Sequence, residues 1–330
     1  LKIKEINQEN PENHFNLGIN YFCNMKLYKQ VLITGTNGLL GRKLVDLLLQ
    51  QTHFDIIATS RGNDRFGCAP QYKHRYTYYP LDITQEADVE LLFKKIDPEI
   101  IVHSAAMTKV DDCEVNQEAA FLTNVTATQY LLRGAKKWGS FFLYVSTDFV
   151  FDGKKGFYTE QDSPSPINYY GVTKLAAEKL VQNSYCDWAI VRTVLVYGVL
   201  PDMSRSNIVL WVKASLSAGK MIKVVDDQLR TPTLAEDLAE GCKLIIAKKA
   251  TGIFHIAGSD LLTPYQMALQ TADFFGLDKS LITPTNANFF VETGTRPLKT
   301  GCDISKARQL LGYEPHTFAQ GLEIIAEQSK

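Results

Sequence analysis

Tyr170 and Lys174 stand four residues apart in Tyr169-Tyr170-Gly171-Val172-Thr173-Lys174, and the stretch continues through Leu175, Ala176 and Leu180 with the periodicity of a helix. That spacing projects both side chains from one helical face. A phenol with its ordinary pKa of about 10 is a poor acid–base group at neutral pH. A lysine ammonium beside it favours the phenolate, so the phenol can exchange a proton with a carbonyl or an alcohol. Thr147 ends the apolar run Phe141–Val145 and could hold the same oxygen. Tyr-x-x-x-Lys alone arises on helices by chance. It gains meaning from the glycine-rich stretch that precedes it in the chain.

That stretch is Val31-Leu32-Ile33-Thr34-Gly35-Thr36-Asn37-Gly38-Leu39-Leu40-Gly41. The short apolar residues read as a buried parallel strand. Gly35, Gly38 and Gly41 then turn the chain into a helix with Leu40, Leu44 and Leu47/Leu48 on one face. Residues without a Cβ let the backbone approach a pyrophosphate, and the helix N-terminus offers it free N–H groups. Strand, glycine turn and helix in that order predict a dinucleotide site. The G-x-x-G-x-x-G spacing differs from the commoner G-x-G-x-x-G. Twenty residues past Gly41, where an acid would read the adenosine ribose, stand Ser60 and Arg61, with Arg65 close by. Guanidinium matches phosphate bidentately, so NADPH is favoured and NADH is the alternative. The other reading of Arg61 is a solvated loop arginine.

Further strands are expected at 55–60, at 76–79 running into Leu81-Asp82-Ile83, at 99–103 and at 141–145. Helices are expected over 85–96 and 115–137, the second with Phe121, Val125, Thr128 and Leu132 in register for packing. Ser104-Ala105-Ala106 supplies small residues at a strand end, where a cofactor would lie. Asp111, Asp112 and Glu114 read as helix-start acids. Strands alternating with helices specify an α/β fold with a Rossmann-type doubly wound parallel sheet. A smaller C-terminal substrate domain is expected beside it. The expected division is an N-terminal extension over 1–24, with Met25 as an alternative start, and a dinucleotide-binding domain over 25–195. A strand near 252–258 returns to that domain, and 196–330 is mainly substrate-binding. Helices are expected at 264–275, 304–311 and 317–325. His255 reads as a core histidine. Arg296, Lys299 and Arg308 read as solvated charge or as phosphate contacts.

A net charge of −1 gives no argument for nucleic acid or an anionic membrane. The six cysteines are scattered without a C-x-x-C pair, which suits reduced thiols in a cytoplasmic protein better than disulfides or zinc. The six histidines form no metal-binding motif, so no metal is expected. No apolar run approaches the length of a membrane span, and no signal-peptide pattern opens the chain.

With these residues in order, the chain from about Gln30 onward resembles the extended short-chain dehydrogenase/reductase family, and within it the dTDP-4-dehydrorhamnose reductases. Gly35–Gly41 looks like the cofactor loop and Leu81-Asp82-Ile83-Thr84 like the segment contacting adenine. Ser146-Thr147-Asp148-Phe149-Val150-Phe151-Asp152-Gly153 is similar to the motif carrying the active-site threonine. Tyr170 and Lys174 match the catalytic tyrosine and lysine, while Arg192-Thr193, Val196-Tyr197-Gly198 and Asp227-Gln228 with Pro232-Thr233 follow in the family's order. Departures fall on the substrate side: Leu195 where a tryptophan is usual, Met107-Thr108-Lys109 after Ala106, and Arg230 where a glycine is usual.

The resemblance implies NADPH-dependent reduction of a 4-keto-6-deoxy sugar nucleotide such as dTDP-4-dehydro-L-rhamnose. It implies Thr147, Tyr170 and Lys174 as catalytic residues. Gly35, Asn37, Gly38, Leu39, Leu40, Gly41, Ser60, Arg61, Asp82, Ile83, Ala105, Ala106 and Met107 would contact cofactor, together with Tyr170 and Lys174. Thr108, Val110, Thr147, Asp148, Phe149 and Arg230 would face the nucleotide-sugar substrate. A homodimer paired through helices flanking Tyr170 is also implied. Two other readings stand beside it. A related sugar-nucleotide epimerase or dehydratase is disfavoured by Arg61 and, for the dehydratase, by Phe149 after Asp148. A non-catalytic NADP-binding subunit resembling methionine adenosyltransferase β could retain all three catalytic residues.

Overall fold

Strand β1 (Lys29–Thr34) sends Val31 and Ile33 into one apolar cluster and Leu32 into another, all three fully buried. Alternation with both faces covered is what a central strand of a two-faced parallel sheet requires. The computed structural model describes residues 29–51, 53–203, 206–290 and 292–329. The expected extension over 1–24 lies outside the described residues.

The chain passes from β1 through α1 (Leu39–Gln50) to β2 (Phe54–Ser60) and β3 (Tyr76–Pro80), then through α2 (Glu86–Lys95) to β4 (Ile100–His103). Helix α1 buries Leu44, Val45, Leu48 and Leu49, while Leu40 and Leu47 pack partly buried against the same cluster. The helix expected over 115–137 is instead four pieces: α3 (Val110–Val115), α4 (Gln117–Phe121), a π-helical turn at Leu122–Thr126, and α5 (Ala127–Trp138). The wide turn holds an extra residue and rotates the two halves against each other. Val125, Thr128 and Leu132 are therefore buried as expected, whereas Phe121 is 46% exposed and Ala120 takes the inward position.

Next come β5 (Phe141–Thr147), the short β6 (Gly156–Tyr158), α6 (Tyr169–Gln182) and β7 (Trp188–Thr193). The chain continues through β8 (Val196–Tyr197), α7 (Ile208–Ser217), β9 (Ile222–Val225), β10 (Thr233–Leu234) and α8 (Ala235–Lys248) to β11 (Gly252–His255). Finally α9 (Pro264–Phe274), β12 (Ile282–Thr285), β13 (Thr300–Cys302), α10 (Ser305–Leu311) and α11 (Phe318–Gln328) complete it. Among the described residues seven strands form one sheet in the order β11-β7-β5-β4-β1-β2-β3, and every pairing within it is parallel. Helices α1 and α8 cover one face; α2, α5 and α6 cover the other.

The second lobe is built from α7, α9 and α11 with the parallel pairs β8/β10 and β9/β12. A third pair, β6/β13, ties the segment after Thr147 to the C-terminal region. The chain re-enters the first lobe more than once: β11 joins the sheet beside β7, and Ala307 and Leu311 of α10 pack into the cluster under α1. His255 is fully buried, its ring edge-on to Phe151 at 5.8 Å, as a core histidine. Among the described residues no helix is long and apolar enough to cross a membrane.

Candidate active site

The carboxyl ends of β1, β2, β4 and β5 open into a cleft of about 1420 Å³ that runs across to the second lobe. This is the crevice where parallel α/β sheets bind ligands. Its floor at β1 is the glycine turn. Gly35 has φ +77°, and a Cβ there would lie 2.9 Å from the Ala105 nitrogen. A Cβ on Gly41 would lie 2.4 Å from the Gly35 carbonyl oxygen, so neither position accepts a side chain without movement. Gly38 caps α1 without any side-chain hydrogen bond. The first N–H groups of this helix therefore face the cleft with no capping side chain over them, the arrangement that receives a pyrophosphate.

Ser60, Arg61 and Arg65 line the cleft at the end of β2. Asn37 organises them: its amide donates to the Arg61 and Asn63 carbonyls at 3.3 and 2.9 Å and accepts from the Arg65 N–H at 3.0 Å. Asn37 itself lines the cleft, and its side chain holds the arginine loop. Leu39, Leu40, Asp82, Ile83, Ala105 and Ala106 also line the cleft. Met107 does not. It packs with Val110, Cys113, Ala120 and Tyr170, and its backbone N–H and carbonyl are both held by Asn124 of the π-turn, at 2.8 and 3.0 Å. The buried Asn124 also donates to Thr173 on α6 at 2.9 Å. Sequence periodicity gave no sign of it, because the π-turn that turns it inward has no local pattern.

Thr147, Tyr170 and Lys174 converge on the same cleft from β5 and α6. Gly171 allows this: a Cβ on it would sit 2.2 Å from the Phe149 carbonyl oxygen, so the start of α6 presses directly on the segment after Thr147. Asn168 caps the helix, accepting from the Gly171 N–H at 2.8 Å, and donates to the Thr295 carbonyl at 2.8 Å. The Thr147 hydroxyl donates to Asp148 at 3.0 Å and accepts from the Phe149 N–H at 3.2 Å. Lys174 is 2% exposed, its amine over the Tyr144 ring at 4.1 Å. Burial pulls its pKa down to about 7, partly offset by the Glu178 carboxylate.

On the substrate side, Thr108, Val110, Asp148 and Phe149 all line the cleft. The Asp148 carboxyl is buried, bonded to the Thr147 and Thr300 hydroxyls, and burial raises its pKa. Arg230 reaches the lining too, but it is 3% exposed and its guanidinium is occupied. It donates to the carbonyls of Leu229 and Leu298 at 2.8 Å each, to the Pro297 carbonyl at 2.6 Å and to Gln228 at 3.1 Å. These bonds clasp loops of the second lobe at the wall of the cleft. Arg296 is likewise no open phosphate contact: it pairs with both oxygens of Asp111, at 2.7 and 2.6 Å, and with Glu292 at 3.2 Å. Asp111 is accordingly more than a helix-start acid, because it also accepts the Thr293 and Gly294 N–H groups at 3.0 Å. Glu114 accepts the N–H of Tyr169 at 2.9 Å. Arg308 pairs with Glu314, and neither it nor Lys299 lines the cleft. Leu195 does, with φ +37°, a left-handed conformation at a non-glycine residue.

The sequence matches the RmlD substrate binding domain family over residues 29–330. A probable low-salt glycan biosynthesis reductase, Agl14 of Haloferax volcanii, is 32% identical over 295 residues, covering 89% of this chain and 96% of the relative. Methionine adenosyltransferase 2 subunit beta of Rattus norvegicus is 32% identical over 287 residues, covering 86% of this chain and 82% of that one. A crystal structure of dTDP-4-dehydrorhamnose reductase from Bacillus anthracis in complex with NADP superposes with a TM-score of 0.77 at 26% identity, over 92% of this chain and 100% of the other. With its glycine turn, parallel sheet and Thr–Tyr–Lys cleft, the chain belongs to the RmlD substrate binding domain family, within the extended short-chain dehydrogenases/reductases, a group of NAD(P)-dependent oxidoreductases.

Proposed function

We propose that this protein reduces a 4-keto-6-deoxy sugar nucleotide, dTDP-4-dehydro-L-rhamnose to dTDP-L-rhamnose, using NADPH. The observation that carries the reading is the convergence of Thr147, Tyr170 and Lys174 on the cleft that also holds the glycine turn and Arg61. The uncapped start of α1 and the Cβ-free glycines fit a dinucleotide pyrophosphate. Arg61 and Arg65, with no acid among the lining residues of the Ser60–Arg65 loop, suit a 2′-phosphate. When bound, the cofactor supplies the hydride for the sugar C4 carbonyl.

The chain's own residues do the rest. Thr147 orients the carbonyl oxygen by turning its hydroxyl proton from Asp148 onto it when substrate binds. Tyr170 gives its phenolic proton to that oxygen as charge develops on it. Lys174 holds the ribose next to the nicotinamide and stabilises the phenolate left on Tyr170. Asp148 and Arg230, both buried, fix the segments that frame the substrate end of the cleft.

A second reading has a specific basis. The rat methionine adenosyltransferase 2 subunit beta is as similar to this chain as the Haloferax volcanii reductase is, so a cofactor-binding regulatory role is the competitor. Loss of NADPH absorbance with dTDP-4-dehydro-L-rhamnose, in wild type and Tyr170→Phe, separates them. Turnover that vanishes in the variant while NADPH still binds supports the reductase. Tight NADPH binding without turnover on this or other 4-keto sugar nucleotides overturns it in favour of the regulator.

A further inference from the structure

Four residues beyond Lys174 on α6 stands Glu178, fully buried and in line with Tyr170 and Lys174. Its carboxylate accepts from the Ser146 hydroxyl at 2.6 Å and from Arg192 Nε and Nη2 at 3.0 and 2.7 Å. Ser146 immediately precedes Thr147 on β5, and Arg192 is the register partner of Ser146 on β7. One carboxylate therefore joins the helix bearing Tyr170 and Lys174 to two strands at the level of Thr147. Burying such an ion pair is expensive, and hydrocarbon of equal volume would pack there at no greater cost. Packing alone does not account for it.

The surroundings of the Lys174 amine point to a second effect. Glu178 approaches from its own helix, the Tyr144 ring and the Val145 carbonyl from β5, His103 from β4 and Cys113 from α3. His103 is fully buried and its pKa is pushed down to about 3, so it is neutral in the working range. Glu178 is the carboxylate of this group. It pulls the Lys174 pKa up against the effect of burial.

We propose that Glu178 is a positioning residue for the active site, holding α6 in register with Thr147 and supplying the negative charge that faces the Lys174 ammonium. The inference rests on the catalytic roles given above to Tyr170 and Lys174, and its test uses cofactor binding as well as turnover.

Glu178→Gln keeps hydrogen-bonding oxygen and volume but removes the charge. NADPH affinity, read by fluorescence, and turnover are followed against pH in wild type, Glu178→Gln and Glu178→Asp. The alkaline limb of both profiles is expected at lower pH in Glu178→Gln, by about one pH unit, which is about tenfold in either quantity on the falling side. Glu178→Asp, which keeps the charge, is expected to return the limb toward the wild-type position. The double variant Glu178→Gln/Arg192→Gln removes the guanidinium that Glu178→Gln leaves unpaired, and serves, compared with Arg192→Gln, if the single variant does not fold. Limbs that coincide in wild type and Glu178→Gln, or in Arg192→Gln and the double variant, overturn the proposal and leave Glu178 a structural tie. If wild type reduces no 4-keto sugar nucleotide, the substrate reading fails by itself, and the shift of the NADPH-binding limb still decides Glu178.

Discussion

Lys174 donates a 2.7 Å hydrogen bond to the backbone carbonyl of Val145, two residues before Thr147. Helix α6 is thereby tied to the strand that delivers Thr147, through the amine that the proposed mechanism uses charged. The enclosure has a pH consequence. Burial lowers the folded-state pKa of Lys174 to about 7, whereas the unfolded chain keeps the ordinary lysine value. Between those two values the unfolded state binds a proton that the folded state does not, so stability rises with pH across that window and is lost as pH falls toward 7. Urea unfolding from pH 7 to 10 is expected to show this rise in wild type and a flatter profile in Lys174→Met. Equal slopes in the two proteins would refute it.

Cofactor choice should depend on the loop that Asn37 organises. Arg61→Ala is expected to remove the proposed charge-assisted contact to a 2′-phosphate, a loss of about 1.5–3 kcal/mol, or at least tenfold in NADPH affinity. NADH affinity should change little. Asn37→Ala frees the loop and is expected to weaken NADPH selectively by a smaller factor. Titration of both nucleotides against the three proteins checks this, and equal losses for NADH and NADPH would count against the phosphate contact.

The Asp111–Arg296 pair joins the start of α3 to the 292–296 loop across 185 positions of sequence, and both residues line the cleft. The guanidinium holds the Asp111 carboxyl well below the usual carboxylate range, with the Gly294 and Thr293 N–H groups acting in the same direction. Asp111→Asn should loosen this tie at the substrate end and leave the glycine turn untouched. The expected outcome is a several-fold higher KM for the sugar nucleotide with NADPH affinity unchanged, checked by steady-state kinetics and cofactor titration. A loss of NADPH affinity matching the rise in KM would show that the tie supports the whole fold.

Much of this protein was legible before any tertiary contact was known. The run Val31–Ile33, the glycines at 35, 38 and 41 and the Leu face of α1 are local patterns, governed by side-chain alternation, helical period and the absence of a Cβ. Tyr170 and Lys174 share a face of α6 for the same local reason. The position of Arg61 after β2 follows from the chain length between strand ends.

Other residues have partners that their type and spacing do not reveal. Arg230 and Arg296 line the cleft, and their guanidiniums are held there, one by backbone carbonyls and the other by acids. Phe121 looked inward-facing, and the π-turn rotates it out. Met107 packs against Val110, Cys113, Ala120 and Tyr170 while Asn124 grips its backbone. A side chain's type states what it can bond to, and local spacing states which face it shares. The partner it finds, often more than a hundred residues away, is fixed only when the sheet order and the second lobe close the chain on itself. The sequence determined the strand–turn–helix cofactor motif and the Tyr–Lys pair, because both are short-range. Tertiary structure decided which cations stay available to a ligand and how Glu178, Ser146 and Arg192 meet behind Thr147, because desolvation and long-range pairing have no local signature.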